Sequence, residues 1–181
     1  MTADYELMND IDCSTILNFE PLGNITTIFR GRFYGNFKMI SNLKIQINAS
    51  QSYIGLFGYA SNCTIQNLIM GDVTINVNSS SYVGSLVGYL IYSSIYNIHL
   101  TTSNQYKRNT IAGGGNYCGS IIGQIVSCII DNITVQNTLV DFPNAYYVGG
   151  LFGFSITSDY QPTTMITNCH NIGKNFFFFL N

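Results

Sequence analysis

Paired carboxylates, or carboxylates beside Arg or Lys, would equip this chain to cleave polysaccharides by general acid–base chemistry. Beyond residue 44 the acidic residues are Asp72, Asp131, Asp141 and Asp159. They fall at different phases of an internal repeat, so their spacing predicts solvated surface carboxylates rather than an active site. Asp10 and Asp12 could share one strand face and offer paired oxygens to calcium. No Gly-rich aspartate repeat surrounds them, and a solvated or turn-capping pair is the expectation. His99 and His170 occupy one column of the repeat with Thr134 between them, roughly 9–10 Å apart. That separation predicts exposed strand histidines without a shared metal. Cys63 and Cys128 flank Ser93 in another column, and the same separation exceeds the disulfide limit of about 7 Å. They are expected to be unpaired, with Cys118 and Cys169 as core thiols. Gly113-Gly-Gly115 is followed by neither Lys-Ser/Thr nor a helix start, so it reads as a loop and not a phosphate cradle. No cofactor site is expected.

The repeat must position whatever these residues do. One block reads Tyr53-Ile-Gly55-Leu-Phe-Gly58, Tyr82-Val-Gly84-Ser-Leu-Val-Gly88, Tyr117-Cys-Gly119-Ser-Ile-Ile-Gly123 and Tyr147-Val-Gly149-Gly-Leu-Phe-Gly153. Its closing glycines are 30, 35 and 30 residues apart, and the first copy is one residue shorter. Between these lies Ile-x-Asn-apolar-x-apolar, centred on Asn42, Asn67, Asn97, Asn132 and, in a degenerate copy, Asn168. Alternation of period two holds on either side of each Asn, but its phase slips there. A strand cannot change its buried face without a bend. Asn suits that bend because it tolerates the left-handed region. Recurring once per coil, these five asparagines are expected to bond to one another as a ladder. The glycines flank a short apolar segment and mark bends or close backbone approaches. No amphipathic helix is apparent. The sequence therefore predicts an all-β chain, a parallel β-helix of about five coils with a repeat of about 30 residues.

Composition narrows the partners. The chain has 181 residues, of which 9% are charged, against roughly 25% in an ordinary domain. Asn, Ser and Thr supply 52 residues, so uncharged side chains must make the polar surface. A net charge of −2 excludes a basic nucleic-acid binder. No run approaches the roughly 18 apolar residues of a membrane span, so no membrane insertion is expected. The first residues lack the pattern of a signal peptide. Sequons occur at Asn24, Asn48, Asn62, Asn78 and Asn132, weak support for secretion in so Asn-rich a chain.

The glycine block resembles the GLUG motif, named for Gly-Leu-hydrophobic-Gly. Tyr147 to Gly153 matches best, Tyr53 to Gly58 and Tyr82 to Gly88 more loosely, and Tyr117 to Gly123 most loosely. The leading segment is also similar to what precedes such repeats: Tyr5 to Asp12, Phe19-Glu-Pro-Leu-Gly23, and Phe29-Arg-Gly-Arg-Phe-Tyr-Gly-Asn36. The family pattern near there is commonly Phe-Asp-Gly-Asn-Gly. Here Tyr34 replaces the Asp and Phe37 the second Gly, so any role of that Asp is absent or moved. The resemblance spans about residues 5–172. It implies a right-handed β-helix-like solenoid of the kind found in cell-surface and secreted proteins, including non-catalytic regions of immunoglobulin-A-specific metallopeptidases. It implies no catalytic residue, and the His-Glu-x-x-His of those peptidases does not occur in this sequence.

The expected organisation is one domain: a leading segment and cap over 1–35, GLUG-like coils over 36–172, and an apolar tail over 173–181. A fragment of a longer extracellular or cell-surface protein is expected, with neighbouring domains as partners. The expected function is a non-catalytic structural or adhesive module that binds a glycan or a host or matrix protein, or acts as a spacer. The alternative is a carbohydrate-active β-helix enzyme. Two segments interrupt the repeat and are the candidate binding loops: 101–116, with Lys107 and Arg108, and 154–163, with Asp159 and Tyr160. The tyrosines also suit sugar or protein contact. An ice-binding face would need a Thr column, whereas the column after the ladder reads Lys44, Ile69, His99, Thr134, His170.

Overall fold

The computed structural model describes residues 1–157, 163–172 and the backbone of 176–177. The strands are, in chain order, β1 (Tyr5–Glu6), β2 (Ile11–Asp12), β3 (Arg32–Ser41), β4 (Lys44–Ser50), β5 (Phe57–Ser61) and β6 (Thr64–Gly71). Next come β7 (Thr74–Val83), β8 (Val87–Ile91), β9 (Ser94–Thr101), β10 (Asn109–Gly119), β11 (Ile122–Val126) and β12 (Ile129–Gln136). The last are β13 (Thr138–Asp141), β14 (Tyr147–Gly149), β15 (Phe152–Ile156), β16 (Met165–Thr167), β17 (His170–Ile172) and β18 (Phe176–Phe177). No helix occurs among the described residues.

Every strand pair is parallel. Successive coils stack their strands into three sheets. The first sheet runs β1-β3-β6-β9-β12-β16, with β2 beside β3 and β17 beside β12. The second runs β4-β7-β10-β13-β18 with β14 beside β10, and the third β5-β8-β11-β15. This is the β-helix-like solenoid that the repeat predicts.

Like residues stack on like. Ile65, Ile95 and Ile130 pair in one row, Leu68, Ile98 and Ile133 in a second, and Met70, Leu100 and Val135 in a third. Ile45, Ile75, Ile111 and Val140 do the same in the second sheet, and Ala60, Leu90 and Ile125 in the third. All of these are buried. Each large aliphatic side chain contributes roughly 1.5–3 kcal/mol relative to exposure. A single coil has no such neighbours, so the core exists only between tiers.

Residues 5–29 are a coil in their own right. Tyr5 pairs with Phe33 and Ile11 with Ile40, while Leu22 bridges to Phe57 and Phe29 to Ala60. The boundary expected at residue 36 falls inside β3. In the expected tail, Phe176 and Phe177 pair with Leu139 and Val140 and extend the second sheet. The rest of the Phe run lies outside the described residues.

Candidate functional site

The left-handed asparagines come in two kinds. Asn42, Asn67, Asn97, Asn132 and Asn168 all have φ between 50° and 57°. The Asn97 amide Nδ2 donates to Asn67 Oδ1 at 2.7 Å, and Asn132 Nδ2 to Asn97 Oδ1 at 2.8 Å. Asn168 follows Thr167, which pairs with Asp131, but its amide donates to Asp131 Oδ1 rather than to Asn132. Asn42 is not in this column. Ser41 pairs with Gly71 and Lys44 with Thr74, so Asn42 stands beside Asp72 at the corner between the first and second sheets. It donates to Asp12 instead. Lys44 is likewise in the second sheet, and Met39 occupies its expected place next to Ile69. Beside Asn67 the register shifts between Tyr34 and Lys38, and Asn36 sits in that bulge with φ 50°. Its amide donates to Glu6 Oε1 and the Leu7 carbonyl.

The repeat glycines set how closely coils approach. A Cβ on Gly88 would lie 2.8 Å from the Gly58 carbonyl oxygen, one on Gly123 would lie 2.6 Å from that of Gly88, and one on Gly153 would lie 2.5 Å from that of Gly123. Gly58 would clash in the same way with Gly23. Gly55, Gly84, Gly119 and Gly149 meet backbone oxygens at the turn into the third sheet. The residue missing from the first block corresponds to Ser85 and Ser120, whose hydroxyls donate to the Ser120 and Gly150 carbonyls of the following coil.

Several charged residues are tied into the fold. Asp131 accepts from Thr167 Oγ1 and Asn168 Nδ2, which hold its carboxyl below the usual range. Asp12 is lowered by Asn42 and Ser14. Burial works against ionisation of Asp72, but the Ser103 backbone N–H and Lys107, at 2.9 Å, outweigh it and lower the net value. Lys107 therefore secures its loop to the body, while Arg108 beside it is exposed. Asp141 pairs with Ala112 in the second sheet, far along the coil from Asp131 in the first. Asp159 and Tyr160 lie outside the described residues. His99 and His170 both pair with Thr134. Cys63 and Cys128 flank Ser93 through sulfur contacts of 3.4 and 3.5 Å, and all five cysteines are free. Burial pushes the Cys63 and Cys128 thiols up to about 11. Among the described residues no group of three or more His, Cys, Asp or Glu could hold a metal ion.

One stretch of the surface is aromatic and uncharged. Tyr53, Tyr82, Tyr117 and Tyr147 stack in one column at 5.1, 5.0 and 5.2 Å, with interplanar angles of 5°, 13° and 11°. Tyr59 and Tyr89, and Phe154 beyond the intervening Gln124, lie in a second row whose rings pack against the first column. Successive rings of the first column therefore cover one another's faces. Immediately before the first column lies a groove of about 360 Å³, lined by residues 50–52, 78–81 and 114–116 with Asn144. Its lining is Ser, Asn, Gln and Gly, with no charge. Strand bulges shape it: the register shifts between Ile47 and Ser50 and between Gly113 and Gly115. Bulges re-aim side chains in this way. The triple glycine is thus part of a paired strand and not a free loop, because Gly113 has φ 128° and its Cβ would strike Val77. The tyrosines are legible in the repeat; the groove is not, since only the run Asn78-Ser-Ser-Ser81 hints at it.

Comparison of the chain with protein-family models, with curated proteins and with solved structures found no match.

Proposed function

We propose that this chain is a non-catalytic structural and adhesive module of a cell-surface or secreted protein, of the GLUG-repeat type. The observation that carries the reading is a division of labour among polar groups. The carboxylates Asp12, Asp72 and Asp131 already accept hydrogen bonds that join neighbouring coils or secure a loop. The groove and the tyrosine columns, which span several coils, carry no charged side chain. Acid–base cleavage needs two carboxyl groups facing one substrate; adhesion needs an extended surface of hydroxyls, amides and aromatic edges. The partner is a glycan or a host or matrix protein, and neighbouring domains of a longer chain hold the module in place.

The test is binding of the purified chain to a glycan and extracellular-matrix array, with product analysis of every bound glycan. Binding without cleavage is expected. Cleavage that disappears in Asp131→Ala or Asp141→Ala while the fold persists would establish a carbohydrate-active enzyme instead.

A further inference from the structure

The geometry points to the groove beside the tyrosine column as a binding site for a neutral, linear glycan lying along the solenoid axis. This assignment rests on the module reading and names its ligand class.

Direction is the first argument. The groove crosses successive tiers, from 50–52 next to β4, through 78–81 in β7, to 114–116 in β10, and ends at Asn144. Its length therefore runs across the strands. Tiers are spaced about 4.8 Å apart, close to the advance of one sugar ring in an extended pyranose chain. Each coil can then present the same set of groups to each successive sugar.

Chemistry is the second. Several Asn and Ser side chains outside the groove bond within the fold, as in Asn67–Asn97–Asn132 and Ser85–Ser120. In the groove, Gln51, Ser52, Ser79, Ser81, Asn116 and Asn144 make no side-chain hydrogen bond among the described residues. Ser80, also in the lining, is buried, and its Oγ has no partner there either. These groups combine donors and acceptors without charge, which matches sugar hydroxyls and supplies no countercharge to a carboxylate, sulfate or phosphate. Tyr53, Tyr82 and Tyr117 each directly follow a lining residue in the chain, which sets the tyrosine column beside the groove.

The experiment is calorimetric titration with neutral β-linked hexasaccharides of glucose, mannose and N-acetylglucosamine, and with hexagalacturonate as the anionic control. The protein is made in a host without N-glycosylation, since the sequon residue Asn78 lines the groove. At least one neutral hexasaccharide is expected to bind, with little change between low and high salt. Gln51→Ala with Asn116→Ala is expected to weaken it tenfold or more at an unchanged Tm, while Arg108→Ala leaves it unaffected. No neutral binding, binding indifferent to the groove variants, or a salt-sensitive preference for hexagalacturonate would overturn the assignment. Binding to a matrix protein alone would overturn it and leave the module reading standing. Groove-dependent binding followed by cleavage would uphold the site and overturn the non-catalytic reading.

Discussion

Asn97 donates its side-chain amide to Asn67 at 2.7 Å across 30 residues of sequence, while its own Oδ1 accepts from Asn132 at 2.8 Å. Asn97 also sits at φ 53°, so it meets two demands, one of backbone and one of side chain. They can be separated. Asn97→Gly keeps the left-handed backbone and removes both bonds, at an expected cost of roughly 1–3 kcal/mol from partners left unsatisfied. Asn97→Leu adds left-handed strain of roughly 1–2 kcal/mol. Chemical denaturation should therefore rank wild type, Gly and Leu in that order; equal stability of wild type and Asn97→Gly would remove the ladder from the account.

The glycine column makes a steric prediction. Gly123→Ala places a methyl 2.6 Å from both the Gly88 oxygen and the Val83 nitrogen, which are backbone atoms of the adjacent coil. Overpacking of this kind costs about 1–3 kcal/mol or more. Gly71→Ala meets only the Met39 side chain, at 3.3 Å, and that chain can turn aside. Its cost should stay below about 1 kcal/mol. Thermal melts of the two variants check the contrast.

Alkaline pH should destabilise the fold. Burial raises Tyr89 to about 12, and raises Tyr59 and Tyr82 in the same direction with help from neighbouring tyrosines. It also lifts Cys63 and Cys128 from 9.0 to about 11. A group whose pKa is higher in the folded state contributes stability that is complete below its unfolded value and lost as pH rises through the folded one. The denaturation midpoint should hold to about pH 9 and fall steadily towards pH 12. Tyr89→Phe should flatten the upper part of that fall.

Thiol chemistry offers an independent check on packing. Cys13, Cys63, Cys118 and Cys128 are buried, and Cys169 is partly exposed. Titration of native protein with a thiol-reactive dye should show one fast group that Cys169→Ser removes. The other four should react only on unfolding. A disulfide in the isolated chain would contradict the 3.4 and 3.5 Å contacts through Ser93.

These contrasts also show how much the sequence reveals. The Asn67, Asn97 and Asn132 column was legible because a period-two pattern that slips at one residue requires a bend, and Asn is built for it. The same pattern placed Asn42 in the wrong column. Asn42, Asp72 and Asn137 are left-handed residues at the corner between the first two sheets, and that corner produces the same local slip as the bend within β6. Only strand pairing tells them apart. Tyr53, Tyr82, Tyr117 and Tyr147 were visible as a block, whereas Tyr59, Tyr89 and Phe154 join them only once the third sheet folds back beside the second. The groove was hidden because bulges, which leave little trace in residue type, aim its side chains.

The coil-on-coil approach at Gly58, Gly88, Gly123 and Gly153 also has a mechanical consequence. Each turn is fastened only to the turns next to it, so tension applied at the ends need not break the whole molecule at once. Peeling off one 30-residue turn frees roughly 100 Å of chain while shortening the stack by only about 4.8 Å. A stack built this way yields turn by turn under load, each freed turn spanning about twenty times the length it had in the stack, and the remaining turns keep their neighbours while it does so.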